Sequence, residues 1–419
     1  MRAHIIKAPQ VCQQTCAGFQ SIVEGMVAKL ICDGYAETTV SFYRQAAVHF
    51  AFWLSRRRIG PSQIKESHIS GFLSQHISVC DCPLGGVRQH QTVRAAINHF
   101  VAVLKDAGYL PEAEAKEPDS IDRKVQDFDD YLLNTVGLQG ATRTYRKRYV
   151  REFLQKLFSG REVDHSRLTP KDIVSYLSKR GAGLKPASTK VVASSLRSYF
   201  RFLQLHGRCE GVLVLAVPAF ASWRLASLPA ALTDEEVERL LSVFDLGTAA
   251  GRRDYAVTRC LVDLGLRAQE VAQLRLDHIN WRKGTLRIVG TKSRRDDELP
   301  LTGAIGAAIA AYIRRGRPQT ASREVFLQLH PPIGHCMTSR TVCDLVVRAA
   351  ARADMGSKVT GTRILRHTAA TRMLRHGASI KEIADVLRHR CLDTTAIYTK
   401  VDLPRLAAVA LAWPKRGSL

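Results

Sequence analysis

The sequence predicts a mainly α-helical protein with one small antiparallel β-sheet in its last third. Three observations lead there. Apolar residues recur at three- and four-residue spacing through most of the 419 residues. Capping boxes and helix-ending glycines punctuate that pattern. Two β-prone runs flank a basic turn that holds Lys292.

Two segments carry the same order of elements. The first runs from Tyr35 to Tyr109: Thr39, Phe42-Tyr43-Arg44 and Val48, then Ile64 to Leu73, then Ile97, Phe100, Val101 and Leu104 before Gly108. The second runs from Leu138 to Gly207: Thr142, Thr144-Tyr145-Arg146 and Val150, then Leu168 to Leu177, then Leu196, Tyr199, Phe200 and Leu203 before Gly207. Each reads as a small helical bundle. The shared order points to a weak internal duplication, although two unrelated amphipathic bundles would also align in this way. Between them lies a charged, proline-bearing stretch, and a second linker holds Pro218 and Pro229.

From Thr233 the pattern changes. Thr233 and Glu236 form a capping box and announce a helix through Phe244. A second helix is expected from Asp254 to Leu264, where Ala256, Val257, Cys260, Leu261 and Leu264 make one stripe and Gly265 ends it. Strands are expected at Thr285 to Val289 and Glu298 to Leu301. Helices follow near Thr341 to Ala353, Arg363 to His376 and Ile380 to Arg388, the last capped by Ser379 with Glu382.

Size and charge bound the function. A chain of this length exceeds one compact core, so two or three domains are expected. The 62 Lys and Arg outnumber the 38 Asp and Glu, leaving a net charge of +24 spread along the whole chain. A polyanionic partner explains that economically; a merely basic soluble surface is the plainer alternative. The N-terminus, Met1-Arg2-Ala3-His4-Ile5-Ile6-Lys7, lacks the apolar core of a secretion signal, and no apolar stretch suffices to span a bilayer, so a cytoplasmic protein is expected. Ten scattered cysteines suit reduced thiols better than a disulfide framework. Only Cys80-Asp81-Cys82, with His76 and His90 nearby, resembles a set of metal ligands, and an ordinary loop is the default reading of that C-x-C spacing.

The chemistry is concentrated toward the C-terminus. Breaking a phosphodiester requires charge neutralisation at the non-bridging oxygens, an in-line nucleophile and a proton for the leaving oxygen. Arg267 follows Gly265-Leu266, and Arg366 opens a helix; a guanidinium grips two phosphate oxygens at once and keeps its charge. Lys292 is a flexible cation able to serve as general acid. His389 is a further donor, and Tyr398, in Ala396-Ile397-Tyr398-Thr399, is a phenolic nucleophile. No metal or nucleotide cofactor is called for.

Order and spacing then tie these residues together. Leu264-Gly265-Leu266-Arg267-Ala268-Gln269-Glu270 resembles the first arginine box of the tyrosine recombinase and phage integrase family. Gly290-Thr291-Lys292-Ser293-Arg294-Arg295, followed by Leu299-Pro300-Leu301, is similar to its lysine-bearing β-turn. Leu365-Arg366-His367-Thr368-Ala369-Ala370-Thr371 resembles the second arginine box, and Leu387-Arg388-His389 through Tyr398-Thr399 the final histidine and tyrosine boxes. The resemblance covers about Leu138 to Val401.

The resemblance implies that Tyr398, Arg267, Lys292, Arg366 and His389 are catalytic, that DNA strands are cleaved and rejoined through a 3′-phosphotyrosyl intermediate, and that the element served is a transposon or an integrated phage. Two positions depart from the pattern. Arg363 occupies the usual histidine position, where it donates to phosphate but cannot act as a base near neutral pH. Arg388 stands where glycine is common. Together with the repeated segments and linkers read from the residues, the expected organisation is an N-terminal helical domain over 1–112, read from the internal duplication as a second SAM-like unit; a linker over 113–122; a core-binding domain over 123–207; a linker over 208–232; and a catalytic domain over 233–419. The helical domains and the catalytic domain would form a clamp on double-stranded DNA. The N-terminal unit is either a second DNA-binding or assembly module or a subunit contact. The tail after Tyr398, with Leu403, Leu406, Val409 and Leu411, would dock on a neighbour in a tetramer on two DNA sites, with or without companion recombinases. Two rivals stand beside this reading: a type IB topoisomerase-like enzyme and a non-catalytic DNA-binding regulator.

Overall fold

The computed structural model describes residues 17–82, 89–110, 119–138, 140–159, 161–220, 229–289, 296–389 and 391–401. The chain divides into two compact units, one formed by 1–109 with 227–419 and the other by 110–226.

The N-terminal part of the first unit is helical: α1 (Gln20–Cys32), α2 (Glu37–Arg56), α3 (Glu66–Gly71), which runs directly into a single π-turn at Phe72–His76, and α4 (His90–Asp106). Phe50, Phe72, Phe100, Ile97 and Leu104 are fully buried between these helices. His90 is exposed at the first position of α4, away from His76; the histidine that joins His76, Cys80 and Cys82 is His49 of α2. Proximity along the chain pointed to His90, whereas tertiary packing brings His49 of α2 into the cluster.

The second unit repeats that order with α5 (Ser120–Asn134), α6 (Gly140–Phe158), α7 (Pro170–Gly181) and α8 (Pro186–Leu205). Phe128, Phe153, Leu196, Tyr199 and Phe200 fill its core. Asp119 caps α5 by accepting from the Asp122 backbone N–H at 2.6 Å, so the helix starts inside the stretch read as linker. The following stretch also holds a short helix, α9 (Val212–Leu215), and Leu213 and Val217 bury themselves on the core.

The C-terminal part of the first unit contains α10 (Asp234–Ser242), α11 (Ala249–Asp263), α12 (Ala268–Ala272), α13 (Gly303–Arg315), α14 (Ser339–Arg352), α15 (Arg363–Arg375) and α16 (Ile380–Val386). Both expected capping boxes form: Thr233 with Glu236, and Ser379 with Glu382. The predicted stripe of α11 is buried at Ala256, Val257, Cys260, Leu261 and Leu264. That helix begins five residues before the expected start, at a Thr248 cap that accepts from the Gly251 N–H at 3.0 Å. Its first turns, Gly251-Arg252-Arg253, carry no apolar stripe to announce them.

The sheet has three strands, β1 (Ile279–Asn280), β2 (Thr285–Ile288) and β3 (Asp297–Pro300), all antiparallel in the order β1-β2-β3. Leu286 pairs with Leu299 and Ile288 with Asp297, which places Leu286, Ile288 and Leu299 on the buried face. The two-residue β1 and helix α12 are elements that periodicity did not announce, whereas α13, which buries Ile305, Ala308, Ile309 and Tyr312 on one face, carries the helical period but was not among the expected elements. The expected lysine turn, Gly290 to Arg295, and the tail with Leu403, Leu406, Val409 and Leu411 lie outside the described residues. Among the described residues no helix is long and apolar enough to cross a membrane.

Candidate active site

The site is built on three chain reversals that bring α11, α15 and α16 together. The first is Gly265, at φ +61°, which ends α11 and aims Arg267 back across the helix end. A Cβ at Gly265 would stand 2.6 Å from Leu387 Cδ2 and 3.3 Å from Ala369 Cβ, so glycine is required for packing as well as for conformation. Arg267 then caps α12. Its backbone N–H donates to Glu270 Oε2 at 2.7 Å and its Nη1 to Glu270 Oε1 at 2.6 Å.

The second reversal ends α16. The Arg388 N–H donates to the Asp385 carbonyl at 3.0 Å and the His389 N–H to the Ala384 carbonyl at 2.9 Å, the paired bonds of a Schellman turn. Arg388 occupies its left-handed position at φ +53°, which accounts for the expectation of glycine there. The arginine side chain is not idle: Arg388 is buried and its Nη2 pairs with Glu270 Oε2. One buried carboxylate thus faces two guanidiniums. Burial alone would raise the Glu270 pKa, but Arg388 and Arg267 outweigh it and hold the group below the ordinary carboxylate range.

Arg366 lies in the first turn of α15 and links the other pieces. Its Nη1 donates to the Gly265 carbonyl and its Nη2 to the Leu387 carbonyl, joining the arginine box to the turn that carries His389. With five N–H donors, a guanidinium bound in this way still has donors for an anion. Burial, reinforced by Arg267, pushes the Arg366 pKa down to about 9. A cation destabilised to that degree is a site that favours an incoming negative charge. His389 Nδ1 lies 2.7 Å from Thr395 Oγ1, and burial with Arg366, Arg267 and Arg388 pushes its pKa down to about 4.

Tyr398 is carried by a 3₁₀ turn, Ala396–Val401, the third reversal, and is only 2% exposed, packed with Ala370, Leu374, Ile383 and Leu387. Burial raises its pKa, against the opposing pull of Arg366 and Arg363. Its hydroxyl lies 2.9 Å from His367 Nδ1. His367 follows Arg366 directly in the second arginine box, and the resemblance assigned it no catalytic role. Arg363, one helical turn earlier on the same face, donates through Nε to His367 Nε2 at 3.2 Å. That bond fixes the tautomer. A neutral imidazole accepting at Nε2 carries its proton on Nδ1 and therefore donates to the Tyr398 oxygen. Burial together with Arg363 and Arg366 lowers the His367 pKa and keeps the ring neutral.

Of the expected site residues, Arg267, Arg363, Arg366, His389 and Tyr398 therefore surround one region of the first unit, and Glu270, His367 and Arg388 join them. Lys292 falls outside the described residues.

The chain is similar to known proteins over most of its length. The Phage integrase family model matches residues 230–404, and the model of its N-terminal SAM-like domain matches 125–207. A Sinorhizobium fredii protein provisionally named integrase/recombinase y4rA is 35% identical over 387 residues, covering 92% of both chains. Tyrosine recombinase XerD of Pseudomonas putida is 32% identical over 302 residues, 70% of this chain and 97% of that protein. Among solved structures, XerH site-specific recombinase bound to its palindromic difH substrate matches the fold with a TM-score of 0.55 at 18% identity, over 73% of this chain and 91% of that one. With its arginine boxes, histidine and tyrosine gathered at one site and this degree of similarity along its length, the chain belongs to the phage integrase family of tyrosine recombinases, enzymes that cleave and rejoin DNA.

Proposed function

We propose that this chain is a site-specific recombinase of a mobile element, with Arg267, Lys292, Arg366, His389 and Tyr398 as its catalytic residues. The observation that carries the assignment is the Arg366 guanidinium, held by the Gly265 and Leu387 carbonyls, because it ties the arginine box, the His389 turn and the helix facing Tyr398 into one cationic pocket. A DNA phosphate is the anion that pocket suits, and the net charge of +24 favours the surrounding duplex.

In the proposed reaction Arg267 and Arg366 hold the non-bridging oxygens and His389 adds a third donor. The Tyr398 oxygen attacks phosphorus, the bond to the 5′ oxygen breaks, and that oxygen takes a proton from Lys292. The DNA 3′ end is left as a phosphotyrosyl ester. The phenolic proton goes to water, because His367 Nδ1 already carries a proton and the neighbouring arginines do not give theirs up. His367 instead steadies the developing phenolate by donating to it, with its tautomer set by Arg363. Attack by the 5′ hydroxyl of a partner strand reverses these steps, and the ester conserves the energy needed. Because Tyr398 is buried, the turn Ala396–Val401 has to move before attack.

The same reading places the protein in the cytoplasm with the nucleoid, acting as a tetramer on two DNA sites. Neither a relaxing topoisomerase nor a non-catalytic regulator is favoured by the family to which the chain belongs. Tyr398→Phe tests the assignment on a nicked suicide substrate made from the ends of the element that encodes the protein. The variant is expected to bind that DNA normally and yield no covalent complex on a denaturing gel. Covalent capture at wild-type yield would show that another residue is the nucleophile.

A further inference from the structure

The N-terminal helices carry a second constellation, remote in sequence from every catalytic box. His49 from α2, His76 from the π-turn after α3, and Cys80 and Cys82 from the loop beyond it bring two imidazoles and two thiols together, with all ligand atoms within 4.8 Å of one another. His49 Nε2 lies 3.1 Å from His76 Nε2 and 3.3 Å from Cys80 Sγ, and His76 Nε2 lies 3.6 Å from Cys82 Sγ. With bond lengths of about 2.0–2.1 Å to nitrogen and about 2.3 Å to sulfur, the edges of a tetrahedral N₂S₂ zinc centre are about 3.3 Å between nitrogens and about 3.5 Å between nitrogen and sulfur. The three observed separations match those edges to within about 0.2 Å.

Three further features fit a built site. His49 and Cys80 are buried, and Phe72 stands edge-on to the His49 ring at 5.1 Å and stacks on His76 at 5.3 Å, so the cluster has an apolar shell. The Cys82 backbone N–H donates to Cys80 Sγ at 3.2 Å, which holds that sulfur in place. The π-turn at Phe72–His76 inserts an extra residue into the helix end and turns His76 toward α2; such turns recur where a helix is adjusted for function.

We propose that His49, His76, Cys80 and Cys82 form a structural Cys₂His₂ zinc site that fastens the end of α3 and its following loop onto α2. Two thiolates and two neutral imidazoles balance the charge of a divalent ion, and a tetrahedral N₂S₂ set with no open position selects zinc and gives it a structural role. The ion takes no part in strand cleavage. It closes a loop linking two helices of the bundle.

The test uses the untagged full-length protein, produced in zinc-supplemented medium and kept reduced. Elemental analysis should find about one zinc per chain, and cobalt(II) added after zinc removal should give thiolate charge-transfer absorption together with the visible bands of a tetrahedral ion. The paired variant Cys80→Ser/Cys82→Ser should lose the metal and the spectrum, while His90→Ala keeps both. Should the double variant fail to fold, chelation of the wild-type protein is the second measurement: it should lower the thermal midpoint, and re-added zinc should restore it. Wild-type protein that holds no zinc on reconstitution overturns the proposal, as does a cobalt spectrum unchanged in the cysteine variant.

Discussion

Glu270→Gln is expected to be among the most destabilising single changes in the C-terminal part of the chain, although it alters almost no volume. The Glu270 and Arg388 side chains are only 2% and 3% exposed, and the same carboxylate also accepts from the Arg267 backbone and guanidinium. Glutamine keeps one acceptor for Arg267 but leaves Arg388 as an uncompensated buried cation. Breaking a buried pair in this way costs about 3–5 kcal/mol, a large part of the ~5–15 kcal/mol that holds a typical domain together. Arg267 is 31% exposed, so water screens its share of the loss and the figure belongs mainly to Arg388. The double variant Glu270→Gln/Arg388→Gly removes the stranded charge and gives the left-handed position of the Schellman turn the residue it prefers. It should recover at least ~2 kcal/mol relative to Glu270→Gln alone. The assay is urea denaturation at pH 7, repeated toward acid. Because the folded-state pKa of Glu270 is depressed, its contribution is present above the ordinary glutamate value and is lost as pH falls below it; the glutamine variant should lack that acid limb. A cost under ~1 kcal/mol for Glu270→Gln, or a double variant less stable than either single one, would refute the buried-pair reasoning.

Other expectations follow from the same geometry. Gly265→Ala forces a methyl to 2.6 Å from Leu387 Cδ2 at φ +61°, so it should cost ~1–3 kcal/mol by denaturation and lower cleavage more than DNA binding, since the Leu387 carbonyl holds Arg366. His367→Phe keeps a ring against Tyr398, 5.6 Å away, but removes the donor to its hydroxyl; single-turnover cleavage should fall ~10²-fold with unchanged binding, and an undiminished rate would remove His367 from the reaction. His389, with its pKa pushed to about 4 by burial and the arginines, stays neutral in the folded protein while the unfolded chain takes up a proton near the ordinary histidine value. Thermal stability should therefore be full above that value and decline as pH falls toward about 4, and His389→Gln should decline less over the same window.

The legible part of this protein was its local grammar. Thr233 with Glu236 and Ser379 with Glu382 announced helices because a capping box is satisfied within four residues. The stripe of α11 was visible because a half-buried helix repeats its apolar face every three or four residues. Elements set by their surroundings were harder to see. α12 is five residues long and capped by Arg267 through Glu270, and β1 is two residues whose only periodic signal is its pairing with β2. The start of α11 was displaced because Gly251-Arg252-Arg253 carries no stripe, only a cap at Thr248.

The chemistry divides in the same way. The order of Arg267, Lys292, Arg366, His389 and Tyr398 is a property of the chain, and its resemblance to the boxes of the tyrosine recombinase family was sufficient to name the reaction class. The glycine expected at Arg388 was likewise readable, but its reason, a left-handed turn position, appeared only with the backbone. Folding alone decided that Arg388 pays for that strain with a buried bond to Glu270, and that Arg363, unable to act as a base, sets the tautomer of His367, which in turn addresses Tyr398. It also replaced His90 by His49 beside Cys80 and Cys82. Sequence determines which groups are available and the local conformations they prefer. Which of them meet is a matter of tertiary distance, and a partner 27 or 118 residues away leaves no periodic trace in the chain.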